Sequence, residues 1–275
     1  MRGEVELPMN RETRWRTVFT LVLMQFLGNL AAIPLNYSSV NGFTEPLTDW
    51  VLWTLISIPV IWVAVSISAK VGLGTPLIEG YVPKRNRPAW VREVLSFTVI
   101  CILVTLPLYL LINSGITQST YPQGWQLVLA SVQAGVREEV FSRLLLMSLF
   151  VWIWSRIKKE AGRPSPRIVW VGNIFSAIIF GFGHIDNVST SAELLMPFLG
   201  VFGVNAFLGL FFGWLFWRYG LEAAILSHFI FDAFGSAVVI PVYLWSNITL
   251  RIILASALII CGLVSLNLLR CNRGV

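Results

Sequence analysis

The chain has 275 residues, 56% of them hydrophobic and only 12% charged, with 12 tryptophans and a formal net charge of +6. A mean hydropathy of +0.74 excludes an ordinary soluble domain and a disordered chain, and predicts an all-α, polytopic transmembrane helix bundle. The positive charge does not imply nucleic acid, because the basic residues sit in short stretches between apolar runs, the positive-inside pattern of a membrane protein.

A hydrocarbon core about 30 Å thick takes about 20 apolar residues per helix. Spans are predicted near 18–35, 50–69, 93–112, 126–155, 168–184, 196–217, 222–243 and 249–269, about eight in a single membrane domain over 1–275. Residues 1–17 read as a cytosolic segment, and the apolar run after them lacks a small-residue cleavage site, so it reads as a span rather than a removed signal. Arg2, Arg11, Arg14 and Arg16 precede the first span, and Lys70, Lys84, Arg85, Arg87 and Arg92 follow the second. Arg156, Lys158, Lys159, Arg163 and Arg167 follow the fourth, Arg218 the sixth, and Arg270 and Arg273 close the chain. The alternate loops, 36–49, 113–124, 185–195 and 244–248, contain no lysine or arginine. An integral multi-pass protein with both termini in the cytoplasm is expected.

Pro83, Pro88, Pro164 and Pro166 fall in the basic loops, where they break helices without harm. Trp15, Trp50, Trp53, Trp90, Trp154, Trp170, Trp217 and Trp245 lie near span ends, as an aromatic belt would. Cys101, Cys261 and Cys271 have no metal-type spacing and predict no disulfide framework. The C-terminal residues are not a prenylation box.

Ionised groups inside apolar spans cost a few kcal/mol each at least, which makes them functional candidates. The fourth span carries Glu138, Glu139 and Arg143. Glu139 and Arg143 are four apart and can pair on one helix face. Glu138 is turned about 100° away and is left freer, suited to act as a general base; alternatively both glutamates lock helices together. The only two histidines, His184 and His228, end the fifth span and sit within the seventh. Asn173, Ala177, Phe180 and His184 share a helix face, although a lone histidine at a helix end is often only interfacial. His228 and Asp232 are four apart, an arrangement that fixes a tautomer or forms an interhelical pair. Asn205, Gly209 and Gly213 form a small-residue packing face with one polar group. Glu138, His184 and His228 are expected to converge on one buried polar site. Because His228 comes early in its span, that meeting needs local bending or a water-filled cavity.

Three boxes follow in order: Glu138-Glu139-Val140-Phe141-Ser142-Arg143 as EExxxR, Phe180-Gly181-Phe182-Gly183-His184 as FxxxH, and His228-Phe229-Ile230-Phe231-Asp232 as HxxxN/D. Over about 125–245 they resemble the CPBP family of intramembrane proteases, which takes its name from CAAX proteases and bacteriocin-processing enzymes. The resemblance implies an intramembrane endopeptidase acting on a membrane-associated protein or peptide. Glu138 and His184 would activate the attacking water, and His228 with Asp232 would stabilise the oxyanion. Glu139, Arg143, Phe180 and Asn205 would support them. The last motif position is often asparagine in this family; an ionised Asp232 would repel an oxyanion, so it is protonated, orients His228 or ligates a metal. Glu138, His184 and His228 would suit zinc with an open position for water, yet no HExxH is present, and the family is described both as metalloprotease and as glutamate-dependent without metal. Two other readings of the same residues are a non-catalytic scaffold that keeps the fold and a proton-coupled transporter. The transporter would show inverted repeats and paired broken helices, and the sequence has neither.

Overall fold

A computed structural model of the chain describes residues 9–36, 44–112, 124–160, 162–185, 195–239 and 256, all helices and connecting turns. In chain order these are α1 (Arg11–Ala31), α2 (Ile33–Asn36), α3 (Thr44–Lys70), α4 (Pro76–Glu79) and α5 (Arg87–Ile112). Next come α6 (Gly124–Glu139), a π-helix (Val140–Met147), α7 (Ser148–Ile157), α8 (Pro166–Phe182), α9 (Leu195–Tyr219) and α10 (Leu221–Val239). The all-α bundle expected from the sequence is the fold.

Among the described residues, four helical stretches are long and apolar enough to cross a membrane: Leu47–Lys70, Lys84–Thr105, Trp125–Ile157 and Gly200–Tyr219. The other expected spans within the described residues are helices at the expected places. Helix α8 is shorter, while α1 carries Arg11, Glu12, Arg14 and Arg16 and α10 carries Glu222 and Asp232. The expected eighth span, 249–269, lies outside the described residues apart from the single helical residue Ser256, and so do Cys261 and Cys271. Large apolar side chains crowd the outside of the bundle, with Phe19 69% and Leu55 59% exposed. A soluble protein would bury such groups, and lipid tails accept them. This is an integral membrane protein.

Polar residues bind the helices where apolar contact alone cannot distinguish a neighbouring helix from lipid. Asn29 of α1 accepts from Gln25 and from Gln133 of α6, and donates to Thr54 of α3 at 3.0 Å. Thr98 of α5 pairs with Ser227 of α10 at 2.6 Å. Between α8 and α9 the packing face expected from Gly209 and Gly213 is present: Gly209 lies against Ala177, and Gly213 leaves room for the Asn173 side chain, whose amide donates to Leu210 O at 3.0 Å. Cys101 is buried in the core as a free thiol.

The segment between α3 and α5 folds under the start of α10. Leu221 N–H donates to Gly74 O at 3.0 Å, and Glu222 accepts from the Leu77 and Ile78 N–H groups at 3.0 and 2.9 Å. Gly220, at φ +96°, takes the left-handed turn that brings the chain against Pro76, where a Cβ would collide. Leu221, Ala223 and Ala224 are therefore fully buried. This cap answers the geometric tension in the sequence: His228 is two turns into α10, but α10 itself begins beneath covering protein.

Candidate active site

Helix α6 and the π-helix after it carry both glutamates and Arg143. The Glu139–Arg143 pair expected at i,i+4 is present at 3.1 Å, with both side chains fully buried. Arg143 also donates to the Ser176 hydroxyl at 3.1 Å, Ser176 in turn donates to the Ser142 carbonyl, and the guanidinium lies over the Phe180 ring at 4.8 Å. The π-helix widens the turn so that Ser142 and Arg143 are both buried toward α8. Such turns recur at functional sites.

Glu139 has a second partner. His228 donates its Nδ1–H to Glu139 Oε1 at 2.8 Å, since a carboxylate can only accept. The His228 Nδ1 is taken by Glu139, and Asp232, one of whose expected roles was to orient His228, has its Oδ2 3.3 Å from Nε2 on the other side of the ring. Phe212 of α9 stacks on the imidazole, centroids 4.8 Å apart and planes 13° from parallel, and Phe180 meets it edge-on at 5.9 Å.

Glu138 faces the opening. Its Oε2 lies 3.6 Å from His184 Nε2 and 3.9 Å from His228 Nε2, and its side chain and that of His184 are each 26% exposed. His184 donates Nδ1–H to Phe180 O at 2.8 Å, which turns the Nε2 lone pair toward Glu138. Asp232, 33% exposed, borders the same opening. Glu138, Glu139, Arg143, Phe180, His184, His228 and Asp232 thus form one cluster from four helical elements. Asn205 stands apart: its amide donates to Val201 O one turn back, and among the described residues no hydrogen bond joins it to the cluster. Ser142, Ser176 and Phe212 were missed by the sequence reading. Phe212 in particular lies in an apolar run with nothing local to mark it.

Among the described residues, no group of three or more His, Cys, Asp or Glu side chains is arranged to hold a metal ion. The ligand set Glu138, His184 and His228 gains no support from this geometry.

Two general acid–base candidates in contact, one of them held in a fixed tautomer, with a buried imidazole opposite, form an arrangement able to polarise a water against a carbonyl. Residues 120–234 match the family model described as Rce1-like, type II CAAX prenyl endopeptidase Rce1-like, a stretch that includes all three boxes. No curated protein and no solved structure matches the chain. Through residues 120–234, less than half of the chain, the protein is similar to the CPBP, or CAAX protease, family.

Proposed function

We propose that the protein is an intramembrane endopeptidase that hydrolyses a peptide bond of a membrane-associated protein or peptide with water activated by Glu138 and His184. The observation that carries this reading is the approach of Glu138 Oε2 to His184 Nε2, 3.6 Å apart on the partly exposed side of an otherwise buried cluster. At that separation the two atoms make no direct hydrogen bond and both are free to accept from one water.

In the proposed reaction the water oxygen adds to the carbonyl carbon as its proton passes to Glu138. The oxyanion forms beside His228, whose Nδ1–H is committed to Glu139 and whose Nε2–H turns from Asp232 toward the new charge. Collapse breaks the C–N bond, and Glu138 returns the proton to the departing amine. Asp232 then acts by orienting His228, which removes the difficulty of a carboxylate facing an oxyanion. Asparagine at that position could accept the same hydrogen bond.

The membrane orientation proposed with this function places both termini in the cytoplasm, supported by the charge difference between alternate loops.

The test compares peptide termini in membranes carrying wild type and Glu138→Gln at matched expression, with single-turnover cleavage by the purified proteins. Loss of specific fragments and of single-turnover cleavage supports the protease reading. Unchanged fragments alongside a persisting wild-type phenotype would transfer the protein to the scaffold reading.

A further inference from the structure

A cavity of about 340 Å³ lies where the start of α10 meets α1, α4 and the start of α5. Its size is that of a small-molecule site, and its walls carry two opposite charges that do not meet. Glu222 and Arg87 both line it, yet no ion pair joins them, and Arg87 has no ion-pair partner among the described residues. Glu222 Oε1 accepts from the Leu77 and Ile78 N–H groups at 3.0 and 2.9 Å, whereas Oε2 is buried without a hydrogen-bond partner among the described residues. A buried acceptor left unmatched is costly, which marks the place of a missing donor.

The rest of the lining narrows what that donor belongs to. Leu77, Ile78, Trp90 and Val91 make the remaining walls apolar, and Met24 extends them well inside α1. Arg87 and Val91 are exposed, so the cavity opens at the outer side of α5. Arg87 is the first residue of α5 and Glu222 the second of α10. Charged groups at the ends of spans, beside a tryptophan, lie at the level of lipid headgroups. A water alone would satisfy Oε2 but leave Arg87 and the apolar walls without a partner. A fatty acid would suit Arg87 and be repelled by Glu222. An occupant with an anion, a hydrogen-bonding cation a few bonds away and an apolar body answers all three features.

We propose that this cavity binds a phospholipid with a primary-ammonium headgroup, phosphatidylethanolamine. Its ammonium donates to Glu222 Oε2, its phosphate rests on the Arg87 guanidinium, and its apolar body runs past Leu77 toward Met24. A guanidinium fork matches a phosphate as a planar donor pair. The bound lipid ties the start of α5 to the segment beneath α10, which Glu222 already joins to α10 through Leu77 and Ile78. None of the lining residues belongs to the Glu138 cluster, so the site goes beyond the protease reading and does not depend on it.

The test uses the purified full chain in detergent, stripped of lipid, with equimolar dioleoyl phosphatidylethanolamine and phosphatidylcholine. Bound lipid is counted by native mass spectrometry, with thermal stability as the folding check. The two lipids carry the same charges, but the choline ammonium has no N–H to donate. Wild type is expected to bind phosphatidylethanolamine about tenfold tighter, a preference that disappears in Glu222→Gln. The glutamine oxygen can still accept from Leu77 and Ile78, so the fold is kept. Arg87→Gln, at an exposed position, should weaken both lipids about tenfold and retain the preference between them. Equal binding of the two lipids by wild type, or a preference that survives in Glu222→Gln, overturns the proposal. So does unchanged binding in Arg87→Gln, which decides the matter alone if Glu222→Gln does not fold. Tighter binding of phosphatidylglycerol than of phosphatidylethanolamine would assign the lipid to the basic loops and overturn it as well.

Discussion

His228 and Glu139 are 89 residues apart in sequence and share a 2.8 Å hydrogen bond in the buried centre of the bundle. Because Glu139 also holds Arg143, the catalytic imidazole in the proposed mechanism is oriented by a residue that is itself fixed by a buried ion pair. The pair's value to the protein then lies in positioning as much as in stability.

This separates two effects of substitution. Removing one member of a buried pair leaves a charge without compensation and costs about 3–5 kcal/mol, whereas replacing both with apolar groups is often neutral. Glu139→Leu and Arg143→Leu should each lower the melting temperature in detergent markedly. The double variant should regain most of that stability yet remain inactive, because His228 has lost its acceptor. Thermal unfolding followed with a cleavage assay measures both effects; recovery of activity in the double variant would remove Glu139 from the positioning role.

Asp232 predicts a milder outcome. If it orients His228 through a single accepted hydrogen bond, Asp232→Asn should retain cleavage within about tenfold of wild type. Asp232→Leu should fall by 10²-fold or more, the scale for losing an oxyanion donor. Steady-state rates of the two variants decide the point, and equal losses in both would mean that the charge itself is needed.

The α8–α9 contact offers a suppressor test. Gly213→Ala places a methyl group where the Asn173 side chain lies, and such overpacking costs about 1–3 kcal/mol. It should also reduce cleavage, since His184 follows two residues after the end of α8. Adding Asn173→Ala opens the space, so the double variant should melt higher than Gly213→Ala alone even though the bond to Leu210 O is lost. A double variant less stable than either single one would show that Asn173 and Gly213 do not compete for this volume.

Phe212 carries a fourth prediction. Phe212→Ala should cost about 3–5 kcal/mol as a cavity in the core. Phe212→Leu keeps most of the volume but loses the stacked face on His228, a contribution of about 0.5–1.5 kcal/mol beyond burial. Leucine should therefore lower kcat more than it lowers stability, with KM nearly unchanged. A kcat equal to wild type would make Phe212 a packing residue only.

Much of this site was legible in the sequence because its signals are local. The i,i+4 spacing separated Glu139, which faces Arg143, from Glu138, which faces the opening, and the same spacing joined His228 to Asp232. The Gly209–Gly213 face was legible because small residues at helical spacing have one common use within membranes. What escaped depends on contacts between distant elements. Nothing in Val140–Met147 announces a π-helix, since its residues would suit an α-helix equally well. Ser176 and Phe212 matter only because α8 and α9 bring them to Arg143 and His228. Asn205 shows how a polar group on an apolar helix can satisfy itself on its own backbone, as it does on Val201 O.

The segment beneath α10 has a consequence for how the protein can be divided. The family match begins at residue 120, yet Leu221 N–H depends on Gly74, and Glu222 accepts from Leu77 and Ile78. Residues that lie outside the match thus complete the base of the helix that presents His228. A fragment containing the three boxes alone would begin α10 on an open backbone donor and an uncovered carboxylate. The portion recognisable by similarity is smaller than the portion joined by these hydrogen bonds, and the early helices, whose sequences are free of any diagnostic box, belong by structure to the same folded unit as the three boxes.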